Sequence, residues 1–350
     1  MSRRKQVAAG AGAALAAAGG VAAAQAMRRH HAARVEIPGR TLTGSLELTP
    51  TVETAVRTED GVTLHVEIDE PASPRPGAPT VVLLHGFTIS RRGWVFQRRA
   101  LVETGYRVLT YDHRGHGRSG SGDPEHATIA QLGRDLRLVL DQVAPEGPLV
   151  LVGHSMGGMT MMALAETSPD LIGERVVAAV FMATSAGGEG QLISLGYGAL
   201  IGRLISSYGP GALTRLSRRE RFLRSLRGLG RGVEDYFVYH YSFSSRVPQT
   251  LLRFTGDLAF ETSFATIGGF ISTFNEHDRR ESLTAWGAVP TLVITAKDDR
   301  LTPADHGDVI ASAIPGSEHV VVENAGHMVM LEHADLINDE LLELLAKVGA

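Results

Sequence analysis

The run Leu149-Val150-Leu151-Val152 passes without a polar interruption into Gly153-His154-Ser155-Met156-Gly157-Gly158, and a helix-forming stretch, Met159 to Glu166, follows at once. Consecutive apolar residues leave neither side of a strand for water, so this strand reads as one covered on both faces. A strand that turns straight into a helix on a G-x-S-x-G frame lifts its central serine onto a sharp elbow at the C-terminal end of the strand. The flanking glycines have a steric reason: backbone presses on backbone at such a turn, and a Cβ at Gly153 or Gly157 would meet the neighbouring strand or helix. Ser155 is therefore the candidate nucleophile.

Similar runs recur at Thr80 to Leu84, Tyr106 to Tyr111, Val176 to Met182, Pro290 to Thr295 and His319 to Val322. Between them lie segments of helical period, such as Thr128 to Val143, with Leu132, Leu136, Val139, Leu140 and Val143 on one stripe. This alternation predicts an α/β fold, a parallel sheet wrapped by helices on both faces. Ahead of it, Val52 to Thr58 and Val62 to Ile68, separated by Glu59-Asp60-Gly61, read as an opening hairpin. The pattern assigns residues 50–186 and 284–348 to the core. Residues 187–283 lack a clear central strand and are expected to form a helical cap inserted over the site. Within that insertion Arg215, Arg218, Arg219, Arg221, Arg224, Arg227 and Arg231 alternate with leucines, a basic amphipathic helix suited to an anionic membrane surface or an acyl substrate, with a solvated face as the plainer reading.

A serine hydroxyl is a poor nucleophile at neutral pH and needs a base in space, with a third group to fix the tautomer of that base. The chain order that accompanies this elbow is Ser, acid, His, each on a loop after a core strand. Asp298 and Asp299 follow the strand Pro290 to Thr295, and His327 follows the strand His319 to Val322. His327 is the candidate base. The oxyanion of the tetrahedral intermediate requires two N–H donors. One is expected from Met156, after the nucleophile, and the other from Phe87 in the loop His85-Gly86-Phe87 after the third strand. His154 is read as packing, because adjacent residues at a tight turn point apart. His85, His113, His116, His277, His306, His319 and His333 are read as turn, surface or core residues. His113 and His116 with Asp112 have no carboxylate-rich set around them, so no metal and no cofactor are expected.

A hydrophobic content of 43% and a charged content of 21% are those of a globular chain, and a formal net charge of −4 over 350 residues gives no field that would draw nucleic acid. Cysteine is absent, which removes thiol nucleophiles, thiolate metal sites and disulfides together. At the N-terminus, Arg3, Arg4 and Lys5 precede an Ala- and Gly-rich stretch from Ala8 to Ala26, with Ala24-Gln25-Ala26 as an A-x-A-like site. Residues 1–35 are therefore expected to be a signal-like or membrane-anchor segment. An exported or membrane-associated protein follows, with a cytoplasmic one as the alternative.

Taken together, His85-Gly86-Phe87, Tyr111-Asp112-His113-Arg114-Gly115-His116-Gly117-Arg118-Ser119, the elbow at Gly153 to Gly158, Asp298-Asp299-Arg300 with Pro303, and Gly326-His327 resemble the α/β-hydrolase superfamily. Within it they are similar to esterases, monoacylglycerol lipases and haloperoxidase-like members, in the family's order from about residue 54 to 345. The resemblance implies the α/β-hydrolase fold with a helical cap. It also implies that the acid is the last residue of a G-x-x-D pattern followed by Pro. Ala296 replaces that Gly here, and counting from it selects Asp299. The loop holding Asp112 and Arg114 is structural in the family and is given no chemistry.

Serine at the elbow argues against epoxide hydrolases and dehalogenases, whose relatives carry Asp there. Carboxylic ester hydrolysis through an acyl-enzyme is the leading expectation, on a small-molecule ester with an apolar acyl chain. Thioesterase, haloperoxidase-like perhydrolase and carbon–carbon bond hydrolase chemistry use the same triad, and a ligand-binding receptor on the same fold is the non-enzymatic alternative.

Overall fold

The computed structural model describes residues 45–188, 232 and 234–349. The N-terminal segment and the arginine-rich helix expected between Leu213 and Arg231 lie outside the described residues. Among the described residues no helix is long and apolar enough to cross a membrane.

Each of the strand-like runs forms a strand: β1 Val52–Arg57, β2 Thr63–Asp69, β3 Thr80–Leu84, β4 Val108–Tyr111, β5 Leu149–His154, β6 Val176–Met182, β7 Thr291–Ala296 and β8 Glu318–Val322. They make one sheet in the order β1-β2-β4-β3-β5-β6-β7-β8. The β1–β2 hairpin turns at Gly61, whose φ of +83° suits a residue without a Cβ. It joins β4 antiparallel through β2, and every later pairing is parallel. β4 begins two residues after its apolar run does. Tyr106 is spent on ending the preceding helix, where its N–H donates to Leu101 O at 2.9 Å.

Continuous apolar strands are explained by the two cores they feed. In β5, Val150 and Val152 point into one cluster, covered by helix α1 (Val95–Glu103) through Leu101. Leu149 and Leu151 point into the other, covered by α2 (Ile129–Val143) and α3 (Met156–Thr167). Thr128 caps α2 by accepting the Gln131 N–H at 3.1 Å. The stripe Leu132, Leu136, Val139 and Leu140 is fully buried, each such side chain contributing about 1.5–3 kcal/mol. Two helices within residues 187–283 are described, α4 (Gln249–Glu261) and α5 (Phe264–Asn275). α4 joins the first core through Leu251, Leu252 and Leu258, and α5 sends Phe270 into a third cluster with Met156 and Met159. Helices α6 (Ala304–Ala313) and α7 (Ala334–Val348) complete the two layers through Ile310 and Ile337 respectively. Parallel strands with helical returns bring the loops after β3, β4, β5, β7 and β8 to a single edge of the sheet.

Candidate active site

Ser155 stands between β5 and α3 with φ +52° and ψ −117°, outside the regions an L-residue prefers, at a cost of about 1–3 kcal/mol. The surroundings over-determine that conformation. Ser155 N–H donates to Met182 O at 3.0 Å, and Ser155 O accepts from Thr184 Oγ1 at 2.6 Å and from Gly158 N–H at 2.9 Å. A Cβ on Gly157 would lie 2.2 Å from Leu84 O, and one on Gly153 would lie 2.6 Å from Gly158 N. Neither backbone contact can yield, so the elbow requires both glycines. The N-terminus of α3 places its positive dipole end at the serine.

β7 and β8 deliver the other two side chains. His327 Nδ1–H donates to Asp299 Oδ2 at 2.7 Å, with both residues buried. The remaining lone pairs of Asp299 are filled locally: Oδ1 accepts the N–H groups of Leu301 at 2.7 Å and Thr302 at 3.0 Å, and Oδ2 accepts Thr302 Oγ1 at 2.8 Å. Burial pushes the Asp299 carboxyl up, but His327 and the Thr302 donors outweigh it and hold the group below its ordinary value. It is an anion with a fixed direction. With Nδ1 donating, Nε2 of His327 carries the lone pair. Asp298, the other acidic residue of this loop, accepts instead from Ser244 Oγ at 2.7 Å.

The loop of His327 is tied to the elbow by the residue before Ser155. His154 Nε2–H donates to His327 O at 2.8 Å, and the two rings lie 4.8 Å apart between centroids. His154, expected only to pack, thus ties the base loop to the elbow. Among the described residues Ser155 Oγ makes no hydrogen bond to the imidazole; such bonds often tighten only once substrate is bound. Thr302 also escaped sequence reasoning, although an Asp followed by a hydroxyl residue three positions on is a recognisable local-turn signal.

Histidine rings set the loop after β3. His85 Nε2 accepts His113 N–H at 2.9 Å, His113 Nε2–H donates to His85 O at 3.1 Å, and His85 Nδ1–H donates to Gly86 O at 2.8 Å. Burial keeps these rings neutral, depressing His85 to about 4 and His116 and His154 to about 3, with His113 also well below the ordinary histidine value. One nitrogen of each of His113, His116 and His154 bonds to the protein, while His113 Nδ1, His116 Nε2 and His154 Nδ1 have no partner among the described residues; Asp112 pairs with Arg91 at 2.5 Å, and no three such side chains converge on a metal position among the described residues. Gly86 passes so close to the nucleophile that a Cβ would lie 3.1 Å from Ser155 Cβ. Next to it, neither Phe87 N–H nor Met156 N–H has a protein acceptor among the described residues, which leaves both donors unspent beside Ser155. The Phe87 ring is held edge-on by Phe274 at 5.0 Å and by His116 at 5.7 Å. A separate cavity of about 450 Å³, lined by residues including Asp60, His126 and Arg134, borders none of Ser155, Asp299 and His327.

The chain has counterparts among known proteins. Residues 79–334 match the model of the alpha/beta hydrolase fold family. A Klebsiella pneumoniae protein named as a carbamate hydrolase, RutD, is 29% identical over 285 residues, covering 78% of this chain and 94% of its own length. The 2-hydroxy-6-oxononadienedioate/2-hydroxy-6-oxononatrienedioate hydrolase of Cupriavidus pinatubonensis is 31% identical over 278 residues, or 77% of this chain and 87% of its own. The bromoperoxidase from Bacillus anthracis shares the fold with a TM-score of 0.67 at 24% identity, over 84% of this chain and all of that one.

Proposed function

This chain belongs to the α/β-hydrolase family, and from that premise we propose that it is a serine hydrolase that cleaves carboxylic esters through an acyl-enzyme on Ser155. The observation that carries this reading is the buried 2.7 Å hydrogen bond from His327 to Asp299 on the loop bonded to the elbow of Ser155. His327 Nε2 takes the Ser155 proton as Oγ attacks the ester carbonyl, and the charge that develops on imidazole faces the Asp299 anion. The tetrahedral oxyanion is received by the N–H groups of Phe87 and Met156. His327 then returns the proton to the leaving alcohol, and a water deprotonated by the same nitrogen hydrolyses the acyl-enzyme. Phe87, Phe270 and Phe274, grouped beside the proposed oxyanion site, support an apolar acyl group.

A second reading is carbon–carbon bond hydrolysis, favoured by the identity to the Cupriavidus enzyme. Two measurements test these proposals. A fluorophosphonate labels the wild type and not Ser155→Ala; a wild type that stays unlabelled defeats the serine hydrolase reading and favours a receptor. p-Nitrophenyl esters of increasing chain length should be turned over fastest above acetate. Labelling without turnover of any ester would reject the ester reading and leave carbon–carbon cleavage.

A further inference from the structure

Glu332 ends the short helical turn Val329–Glu332 that follows the His327 loop, and it is 2% exposed. A carboxylate taken out of water to that depth costs several kcal/mol unless every oxygen is partnered. Here the partners are backbone N–H groups. Oε2 accepts Gly326 N–H at 2.6 Å, while Oε1 accepts Ser244 N–H at 2.8 Å and Ser245 N–H as well. Gly326 immediately precedes His327. On the other side of the histidine, Met328 N–H donates to Ser242 O at 2.9 Å. Both neighbours of the imidazole are therefore fastened to one short segment, once directly and once through Glu332.

The packing leaves no slack between them, since a Cβ on Gly326 would lie 2.7 Å from the Phe243 backbone. The same segment reaches the acid loop, with Ser244 Oγ on Asp298 and Arg300 Nη1 donating to His240 O at 2.8 Å. Those two residues, Asp298 and Arg300, are its charged contacts from the acid loop. Burial pushes the Glu332 carboxyl above its ordinary value, against the pull of the N–H donors.

We propose that Glu332 is a positioning residue for His327, because one carboxylate holds the N–H before the histidine and two N–H groups of the 240–245 segment at once. Setting that distance sets where the imidazole stands relative to Ser155. The proposal rests on the reading of His327 as the general base. Glutamine would keep the size of the side chain but present NH2 to one N–H group, donor against donor. Aspartate would keep the charge but fall one methylene short of spanning the two loops.

The test measures the second-order rate of fluorophosphonate labelling per folded molecule, against pH, for wild type, Ser155→Ala, Glu332→Gln and Glu332→Asp, with thermal unfolding alongside. Glu332→Gln should label about 10- to 100-fold more slowly, the order of loss that a misplacement of about 1 Å causes. Glu332→Asp should lose less, and both should show a displaced pH profile. Wild-type rates and profiles in both variants, or slowing that only tracks lost fold, would overturn the proposal. If Glu332→Gln does not fold, Glu332→Asp decides by the same criteria. A wild type that does not label at Ser155 defeats the reading of the base itself, which separates that failure from this one.

Discussion

Two regions of this molecule bury polar side chains to the same depth and hold them in opposite ways. Along the reactive edge four of the fully buried groups are the neutral rings of His85, His113, His116 and His154, bonded to backbone and to one another. Around the antiparallel strand β2 they are ions. Glu67 lies between Arg91 at 2.5 Å and Arg98 at 2.8 Å, Arg98 also grips Asp69 at 2.7 Å, and Arg114 grips Asp135 at 2.6 Å and Asp60 at 2.7 Å. The guanidinium in each of these pairs does not titrate. A neutral histidine with a carbonyl or a ring for company keeps its proton chemistry within reach. The scaffold is thus built around guanidinium groups that keep their charge, and the proposed machinery stands among rings that burial keeps neutral.

The difference is broken most strongly by acid. A histidine depressed in the fold keeps its proton off while the unfolded chain, titrating near 6.5, takes one up. Its contribution to stability is therefore complete above about pH 6.5 and is lost as pH falls toward the folded values near 4 and 3. Each such group loses on the order of 1 kcal/mol for every pH unit below about 6.5, so the four together lose several kcal/mol per pH unit, a large part of a domain's stability. Glu67 responds in a lower window. Burial pushes Glu67 up, but His65, Arg91 and Arg98 bring it down to about 2, so its contribution persists until pH falls below the ordinary carboxylate range. Urea midpoints measured against pH should fall steeply just below 6.5. A midpoint constant down to about pH 5 would mean that the buried rings are not neutral reserves at all.

Next in size is Asp299→Asn, which should reduce turnover by about 10³- to 10⁴-fold while leaving the unfolding temperature close to wild type. An amide nitrogen at the Oδ2 position would face the Nδ1–H donor, favour the other tautomer and remove the lone pair from Nε2. The carboxylate on the reactive edge would then be shown to direct a proton and not to hold the fold. Lost stability with turnover per folded molecule unchanged would place Asp299 among the scaffold ions and erase the contrast.

How much of this was legible beforehand follows the same division. The elbow, the order of Ser155, Asp299 and His327, and the eight strands are written as local patterns: apolar runs, glycines at fixed offsets, a histidine in the right loop. Sequence alone assigns Asp112 and Arg114 no chemistry, and their partners Arg91, Asp135 and Asp60 lie 21 to 54 residues away, where no spacing rule reaches. His154 on the His327 carbonyl and Glu332 on Ser244 span 173 and 88 residues. Each became a partner only after the sheet had aligned the loops. Sequence shows which residues carry reactive groups; the bonds that aim them arise from tertiary approach.

Within the scaffold itself, Arg114 and Arg118 sharpen the point, because they sit four residues apart in one loop and each reaches back to a carboxylate on the opening hairpin. Arg114 has no exposed side-chain surface, and its removal would leave Asp135, which is 1% exposed, with the neutral Gln131 amide at 2.9 Å in place of its arginine. Arg114→Met should cost about 3–5 kcal/mol, the penalty of leaving one partner of a buried pair, with labelling of Ser155 per folded molecule unaltered. The Arg118 side chain is 56% exposed and its partner Glu53 is 47% exposed, so their 2.9 Å contact competes with water and salt. Arg118→Gln should cost less than about 1 kcal/mol by the same denaturation measurement, and its backbone N–H would still donate to Asp112. Equal losses in the two variants would show that the loop's path, and not desolvation of its charges, decides what an arginine contributes here.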